Sequence, residues 1–400
     1  MREMSWSTSV KKLPRNVWVA TLTSFLMDVS SDMILTLVPL FLSNVLGAST
    51  AIIGLIEGLA EMTASIVQIV SGWLSDKLRS RKWLAVAGYG LSAVAKPFLY
   101  FASAWGGVLA VRFTDRIGKG IRTAPRDALI AESIEPEQRG LAFGLHRAGD
   151  TAGAAGGLII ALLVVLATQA QALTLTRETF QMLVIFSTIP AFLAVIVLAA
   201  GTRDVPQRET SEPMRLTWGA LSGDFRYFLS VIAVFTLGNS ADAFLILRAQ
   251  ERGLNVAQVI GMLITFNIVY TVASGPLGAW SDRLGRARLI TGGWLVYALI
   301  YLGFALAQTG AQIWLVYALY GLYYAATKGA EKAFVADLIP AEQRGTAYGY
   351  YNAVVGIMAL PASLLAGVLW QSLGPNVPFL VGAILALVAV LLLRAKPVNT

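Results

Sequence analysis

The chain has 400 residues, 56% of them hydrophobic and only 14% charged, with a mean hydropathy of +0.66. Soluble domains carry about 25% charged residues, so this composition predicts an all-α, polytopic membrane protein and not a soluble enzyme or binding module. The net charge of +8 has too little polar surface to serve nucleic acid, and the absence of Cys together with a single His146 excludes disulfides, thiolate chemistry and Cys- or His-rich metal sites.

Residues 1–16 are polar and basic, and the apolar run that follows is long enough to span. Runs able to cross about 30 Å of hydrocarbon occur near 17–45, 50–73, 83–104, 107–131, 141–168 and 180–200. After a polar link at 201–224, six more lie near 225–246, 256–279, 289–309, 312–337, 346–371 and 376–394. The expected architecture is therefore twelve transmembrane helices: an N-terminal six-helix bundle (1–200), a cytoplasmic linker (201–224) and a C-terminal six-helix bundle (225–400). Lys and Arg concentrate at the N-terminus, at 76–82, in the central link, at 282–288 and at Arg394 and Lys396, whereas turns such as 43–51, 103–107, 308–312 and 371–377 have none. That asymmetry places both termini in the cytoplasm of an inner (plasma) membrane. Arg177, Arg248 and Arg252 are exceptions on the outer side.

The first span carries Asp28 and Asp32, an i, i+4 pair on one helix face, at a depth of roughly 15–22 Å from the cytoplasmic end. The second carries Glu57 and Glu61 with the same spacing. The fourth carries Arg112, Asp115, Arg116, Lys119, Arg122, Arg126 and Asp127. At about 100° per residue, its five cations fall within one face of roughly 120°. A charge at the bilayer centre costs about 2.5–3.5 kcal/mol on the mildest scale, so this face must meet water, protein or opposite charge. It reads as the wall of a polar pathway, against the plainer reading of buried structural ion pairs. Two models of the acids stay open. In one, Asp32 first, with Asp28, Glu61 and Glu57 behind it, exchanges a proton. In the other, the four acids only neutralise Arg112, Arg116 and Lys119.

The fifth span opens with His146, Arg147 and Asp150 among Gly149, Gly153, Gly156 and Gly157, small residues that permit close helix approach. In the third span Lys96-Pro97 marks a kink, read as structural. The second half is less charged. Asn239 and Asp242 lie on the seventh span, Asn267 on the eighth, and Tyr324 and Lys328 on the tenth. Aromatics with scattered amides suit a cavity wall for a partly apolar solute, although each tyrosine alone is more simply a packing residue. With Arg112, Arg116, Lys119 and Arg122 they form the candidate substrate set.

The halves repeat. Gly72-Trp-Leu-Ser-Asp76 recurs as Gly278-Ala-Trp-Ser-Asp282, and Glu137-Gln-Arg-Gly140 recurs as Glu342-Gln-Arg-Gly345, at offsets of 206 and 205 residues. Asp32 matches Asp242 in the same way, whereas Arg116 and Lys119 align with Gly321 and Tyr324. The basic stripe is thus no requirement of the repeat. Duplicated six-span halves mark carriers that alternate access.

On these residues the chain resembles the major facilitator superfamily across nearly its whole length. The family's loop motif, G-x-x-x-D-[RK]-x-G-R-[RK], is matched by Gly72, Asp76 and Lys77. Arg79 and Ser80 depart from it, and Arg81 and Lys82 keep its basic character. The second copy is closer, with Gly278, Asp282, Arg283, Gly285 and Arg286. Arg112 with Gly118 and Gly120 is similar to the family's helix-4 motif. The resemblance implies a cytoplasmic gate latch built on Gly72, Asp76, Arg81, Gly278, Asp282 and Arg286, with Arg139 and Arg344 beside it. Acids on the first span resemble proton-coupled drug exporters of the superfamily, although the Gly-Pro of the antiporter fifth-helix motif is absent. The expectation is a secondary active transporter with protons, a small molecule and membrane lipid as partners. It needs no cofactor or metal, binds no nucleic acid, has no enzymatic activity and acts as a monomer. Export of an amphipathic molecule is set against transport of an organic or phosphorylated anion on the basic stripe, and a channel comes last.

Overall fold

The computed structural model describes residues 13–78, 80–135, 138–204, 222–284, 286–339 and 344–395, and among them there is no β-strand. The helices are α1 (Arg15–Ile34), α2 (Thr50–Leu78), α3 (Arg81–Ala95), α4 (Trp105–Glu132), α5 (Arg139–Gln169), α6 (Arg177–Gly201), α7 (Gly223–Gly238), α8 (Ala243–Glu251), α9 (Val256–Leu284), α10 (Arg286–Leu306), α11 (Gly310–Asp337), α12 (Arg344–Leu373) and α13 (Val377–Ala395). Two of them run on irregularly. After α1 the chain tightens into a 3₁₀ turn at Leu35–Leu37 and widens into a π turn at Phe41–Val45. After α3 a 3₁₀ helix follows over Lys96–Phe101, with Pro97 at its start.

Ten stretches among the described residues are long and apolar enough to cross a membrane, α7 and α8 together forming one of them. α4 and α11, each of 28 residues, are long enough too, but their sequences are more polar. α6 shows why such helices belong in lipid. Leu183, Ala191, Ala194 and Leu198 are buried while Ile185, Ile189, Phe192 and Ile196 are exposed. An apolar stripe outside an apolar core is a lipid-facing surface, because water would penalise it.

By compactness the chain falls into two units. The first comprises Met1–Val38, Thr63–Thr168 and Thr176–Ser211, and the second Pro39–Met62, Gln169–Leu175 and Glu212–Thr400. In the first, Met27 of α1, Ala85, Tyr89 and Ala93 of α3, and Ala191, Ala194 and Leu198 of α6 form one core cluster. Val17 and Ala20 of α1 pack on Ile130 of α4 and Ala142 of α5 in another. Glycine sets the closest crossings. A Cβ on Gly118 of α4 would stand 2.6 Å from the Gly88 carbonyl oxygen of α3, and one on Gly153 of α5 would stand 2.5 Å from that of Phe25 in α1. Backbones at this separation leave no room for a side chain, so packing replaces the hydrophobic drive that lipid cannot supply.

In the second unit α10 lies against α11 and α13, and α7 against α12 and α13. Its core is aromatic, with Phe235 stacked on Trp294 (4.5 Å between centroids) and Tyr297 stacked on Tyr301 (4.1 Å). Buried Arg248 of α8 donates from Nε to the Phe304 carbonyl (3.1 Å), from Nη2 to those of Ala305 (3.0 Å) and Ala307 (3.3 Å), and from Nη1 to Glu251 (2.7 Å). It therefore satisfies the last carbonyls of α10, a helix end that would otherwise be buried without partners. This is the physical reason for one basic residue that the charge asymmetry leaves unexplained.

Candidate functional site

The first unit gathers charge around α1. Asp28 and Asp32 are half-buried on it, and the cations whose charges act on Asp32 are Lys119, Lys96 and Arg116. Those acting on Asp28 are Arg122, Lys119, Arg126 and Lys96. Among the described residues, however, neither carboxylate forms an ion pair. Lys96, fully buried at the end of α3, shows how this comes about. Its ammonium donates to Ser31 Oγ (2.7 Å), Ser30 Oγ (3.0 Å) and Met27 Sδ (3.2 Å). Three neutral acceptors of α1 take its three N–H bonds, so its charge is solvated by hydroxyls and sulfur.

The α4 stripe divides by burial. Arg112, Arg116 and Arg122 are buried together with Asp115, whereas Lys119 is exposed. Arg122 donates from Nη1 to Ser92 Oγ (2.7 Å) and lies 4.6 Å from the Tyr89 ring centroid, and Ser92 in turn donates to the Asp115 carbonyl (3.1 Å). Arg126 binds Asp127 Oδ1 through Nε (2.9 Å) and Nη2 (2.8 Å), and Ser24 Oγ through Nη1 (3.1 Å); Ser24 also bonds the Tyr89 hydroxyl (2.8 Å). These arginines brace α4 against α3 and α1. Sequence spacing identifies the stripe, but not the serines and the tyrosine on other helices that receive it. On α5, His146 is buried with Nε2 3.7 Å from Asp150 Oδ1.

Of the candidate gate residues, Gly72 is half-buried and a Cβ there would lie 3.6 Å from Ala124 Cβ of α4. Arg81 is buried, donating to Ser75 Oγ (2.7 Å) and pairing with Glu132 (2.9 Å) at the end of α4. Arg139 is exposed at the start of α5. The side chains of Asp76, Gly278, Asp282, Arg286 and Arg344 lie outside the described residues, as does that of Lys328.

The second unit holds the remaining candidates. Glu57 is buried and Glu61 exposed on the part of α2 that belongs to it. Asn239 and Asp242 occupy an interruption between α7 and α8. Asn239 Oδ1 accepts from the Tyr297 hydroxyl (3.3 Å), and exposed Asp242 accepts from that of Tyr320 (3.4 Å). Asn267 spends its amide on the Leu263 carbonyl of its own helix (3.0 Å). Tyr324 is half-buried, its ring edge-on to Tyr320 at 4.8 Å. Sequence reasoning missed Glu331, buried on α11, whose carboxylate accepts from Trp294 Nε1 (3.1 Å) and the Tyr351 hydroxyl (2.8 Å). An acid within a tyrosine-rich span was the available signal.

Comparison with known proteins identifies the family. The Major Facilitator Superfamily model matches residues 20–263 and 227–400. The chain belongs to the major facilitator superfamily. An uncharacterised MFS-type transporter of Methanocaldococcus jannaschii is 38% identical over 389 residues, covering 96% of this chain and 95% of its own. The multidrug resistance efflux pump PmrA of Streptococcus pneumoniae is 22% identical over 92% of this chain and 91% of its own. In fold, the chain is similar to the inward-facing, occupied crystal structure of a bacterial homologue of the human lysosomal transporter Spinster, with a TM-score of 0.77, 15% identity and 95% of each chain covered. As a member of this superfamily the chain is a multi-pass membrane transporter for a small molecule and not an enzyme.

Proposed function

We propose that the protein is a secondary active carrier that exports an amphipathic small molecule by alternating access in exchange for protons. It crosses the inner (plasma) membrane twelve times in two six-helix repeats, 1–200 and 225–400, joined by the link at 201–224. Both termini are cytoplasmic and the monomer is the working unit. Asp32 is the first proton carrier, with Asp28, Glu61 and Glu57 as supporting acids. The observation that carries this reading is that Asp28 and Asp32, half-buried on a membrane helix, form no ion pair with a described residue, while the nearby Lys96 is bound to serines instead. A carboxyl locked to a guanidinium is committed to its charged form; one without that lock can change protonation state when its surroundings change. The likeness to a multidrug efflux pump supports export.

The anion reading is supported by one feature, the exposure of Lys119 on α4. Both readings are tested in inside-out vesicles challenged with a panel of amphipathic dyes and organic anions under an imposed pH gradient. Asp32→Asn is expected to abolish uphill accumulation while exchange of the same solute by counterflow persists. Uphill accumulation equal to wild type would remove Asp32 from proton coupling, and a gain confined to anions would favour the second reading.

A further inference from the structure

The interruption between α7 and α8 opens onto a cluster of rings in the second unit. Asp242 begins α8, where an aspartate ordinarily caps the first turn by accepting from a backbone N–H. Here it makes no capping bond, and its Oδ1 instead meets the Tyr320 hydroxyl at 3.4 Å. The same hydroxyl lies 3.4 Å from that of Tyr324. Tyr324 stands nearly perpendicular to Phe266 (5.5 Å, 75°), Tyr270 (6.4 Å, 86°) and Tyr320 (4.8 Å, 72°). Phe266 and Tyr270 are nearly parallel (14°). Tyr320 is fully buried, while Phe266, Tyr270 and Tyr324 are each partly open. Rings meeting at right angles make a corner, and the Asp242 carboxylate, joined to it through the Tyr320 hydroxyl, is exposed.

We propose that Asp242, Phe266, Tyr270 and Tyr324 form a subsite for an organic ammonium group of the cargo. The inference rests on the carrier reading and narrows it from an amphipathic solute to one with a cationic head. A ring face is electronegative and attracts a cation within about 6 Å of its centroid, most strongly where water is scarce. The carboxylate adds a charge that an uncharged isostere cannot use. The dipole at the start of α8 would favour an anion, but Asp242 already places a negative charge there. Partly apolar rings then take the body of the molecule.

The test uses the full chain in lipid nanodiscs and two probes of the same shape, benzyltrimethylammonium and its uncharged carbon isostere neopentylbenzene, in ligand-observed NMR titrations. The ammonium is expected to bind at least roughly tenfold more tightly than the isostere. Asp242→Asn should remove most of that preference. Tyr324→Phe keeps the ring face and should keep the affinity, whereas Tyr324→Leu should weaken it about two- to thirty-fold. Unfolding temperatures of the variants identify any that fail to fold, and the comparison of the two probes on the wild-type chain remains informative in that event. Equal binding of the isosteres, or wild-type affinity in Tyr324→Leu, overturns the proposal. So does ammonium binding that appears only in Lys328→Met, because the corner would then be filled by the protein's own lysine. Counterflow of the dye and anion panel is measured on the same protein reconstituted into sealed proteoliposomes. Counterflow without ammonium binding sinks the subsite and leaves the carrier; ammonium binding without counterflow of any solute sinks the carrier and leaves the subsite.

Discussion

Arg122→Met separates a binding residue from a brace. Sequence spacing puts Arg122 among the substrate cations, yet the side chain is buried, bonded to Ser92 at 2.7 Å and set 4.6 Å from the Tyr89 ring. A hydrogen bond from a charged group contributes about 1.5–3 kcal/mol and a cation–π contact about 0.5–2 kcal/mol. Methionine keeps the apolar contacts of the stem, so the net loss should be about 2–4 kcal/mol. For a unit of roughly 200 residues each kcal/mol shifts the midpoint by about 2–4 °C, which predicts a fall on the order of 5–10 °C. The assay is intrinsic tryptophan fluorescence during heating in nanodiscs; the chain has ten tryptophans and no cysteine for a thiol-reactive dye. Below the new midpoint, the ratio of anionic to neutral solute transport should match wild type. An unchanged midpoint together with selective loss of anion transport would refute the brace and return Arg122 to the binding set.

Other predictions address the remaining contacts. Arg248→Met leaves three carbonyls at and just past the end of α10 without their donor and should cost about 3–5 kcal/mol, with Arg248→Lys recovering only part of it because one ammonium cannot span the same fork; a wild-type unfolding midpoint for the Met variant contradicts the capping role. Gly153→Val drives a side chain into the Phe25 carbonyl and should destabilise the α1–α5 crossing by at least about 1–3 kcal/mol, read as lower yield and midpoint. Glu331→Gln leaves one of the two donors, Trp294 or Tyr351, facing an amide N–H in place of an oxygen, and should cost about 1–3 kcal/mol with an altered tryptophan emission.

Much of the architecture is readable along the chain because lipid imposes length and apolarity on every span. The length and apolarity of α6 follow directly from that rule, whereas which of its two apolar faces is buried does not. The acid pair on α1 is equally readable, since i, i+4 spacing fixes its shared face. What spacing cannot supply is the partner on another helix. Ser92 and Tyr89 lie about thirty residues before Arg122, and nothing local marks them as its acceptors. Lys96 reads as a kink residue beside Pro97, yet it reaches the serines between the two acids, some 65 residues away in sequence. The break in the seventh span appears in the sequence only as a polar run, Asn239-Ser240-Ala241-Asp242, because no proline announces it. Glu331 carries no spacing signal of its own in a span dominated by tyrosines, and its partners Trp294 and Tyr351 lie on other helices.

Burial sorts the cations of α4 into two kinds, and Lys119 belongs to the second. An exposed side chain contributes little to fold stability, so its removal should change it by no more than about 0.5 kcal/mol. Its charge nevertheless acts on both Asp28 and Asp32. Lys119→Met should therefore keep the wild-type unfolding midpoint, in contrast to Arg122→Met, while changing how strongly uphill transport depends on external pH. If anions were the cargo, the same substitution would weaken anionic solutes and spare neutral ones at every pH. A shift of the midpoint comparable to that of Arg122→Met would place Lys119 with the braces and deny α4 any charge held in reserve for transport. Because stability, pH response and solute charge are measured independently, the three outcomes do not overlap.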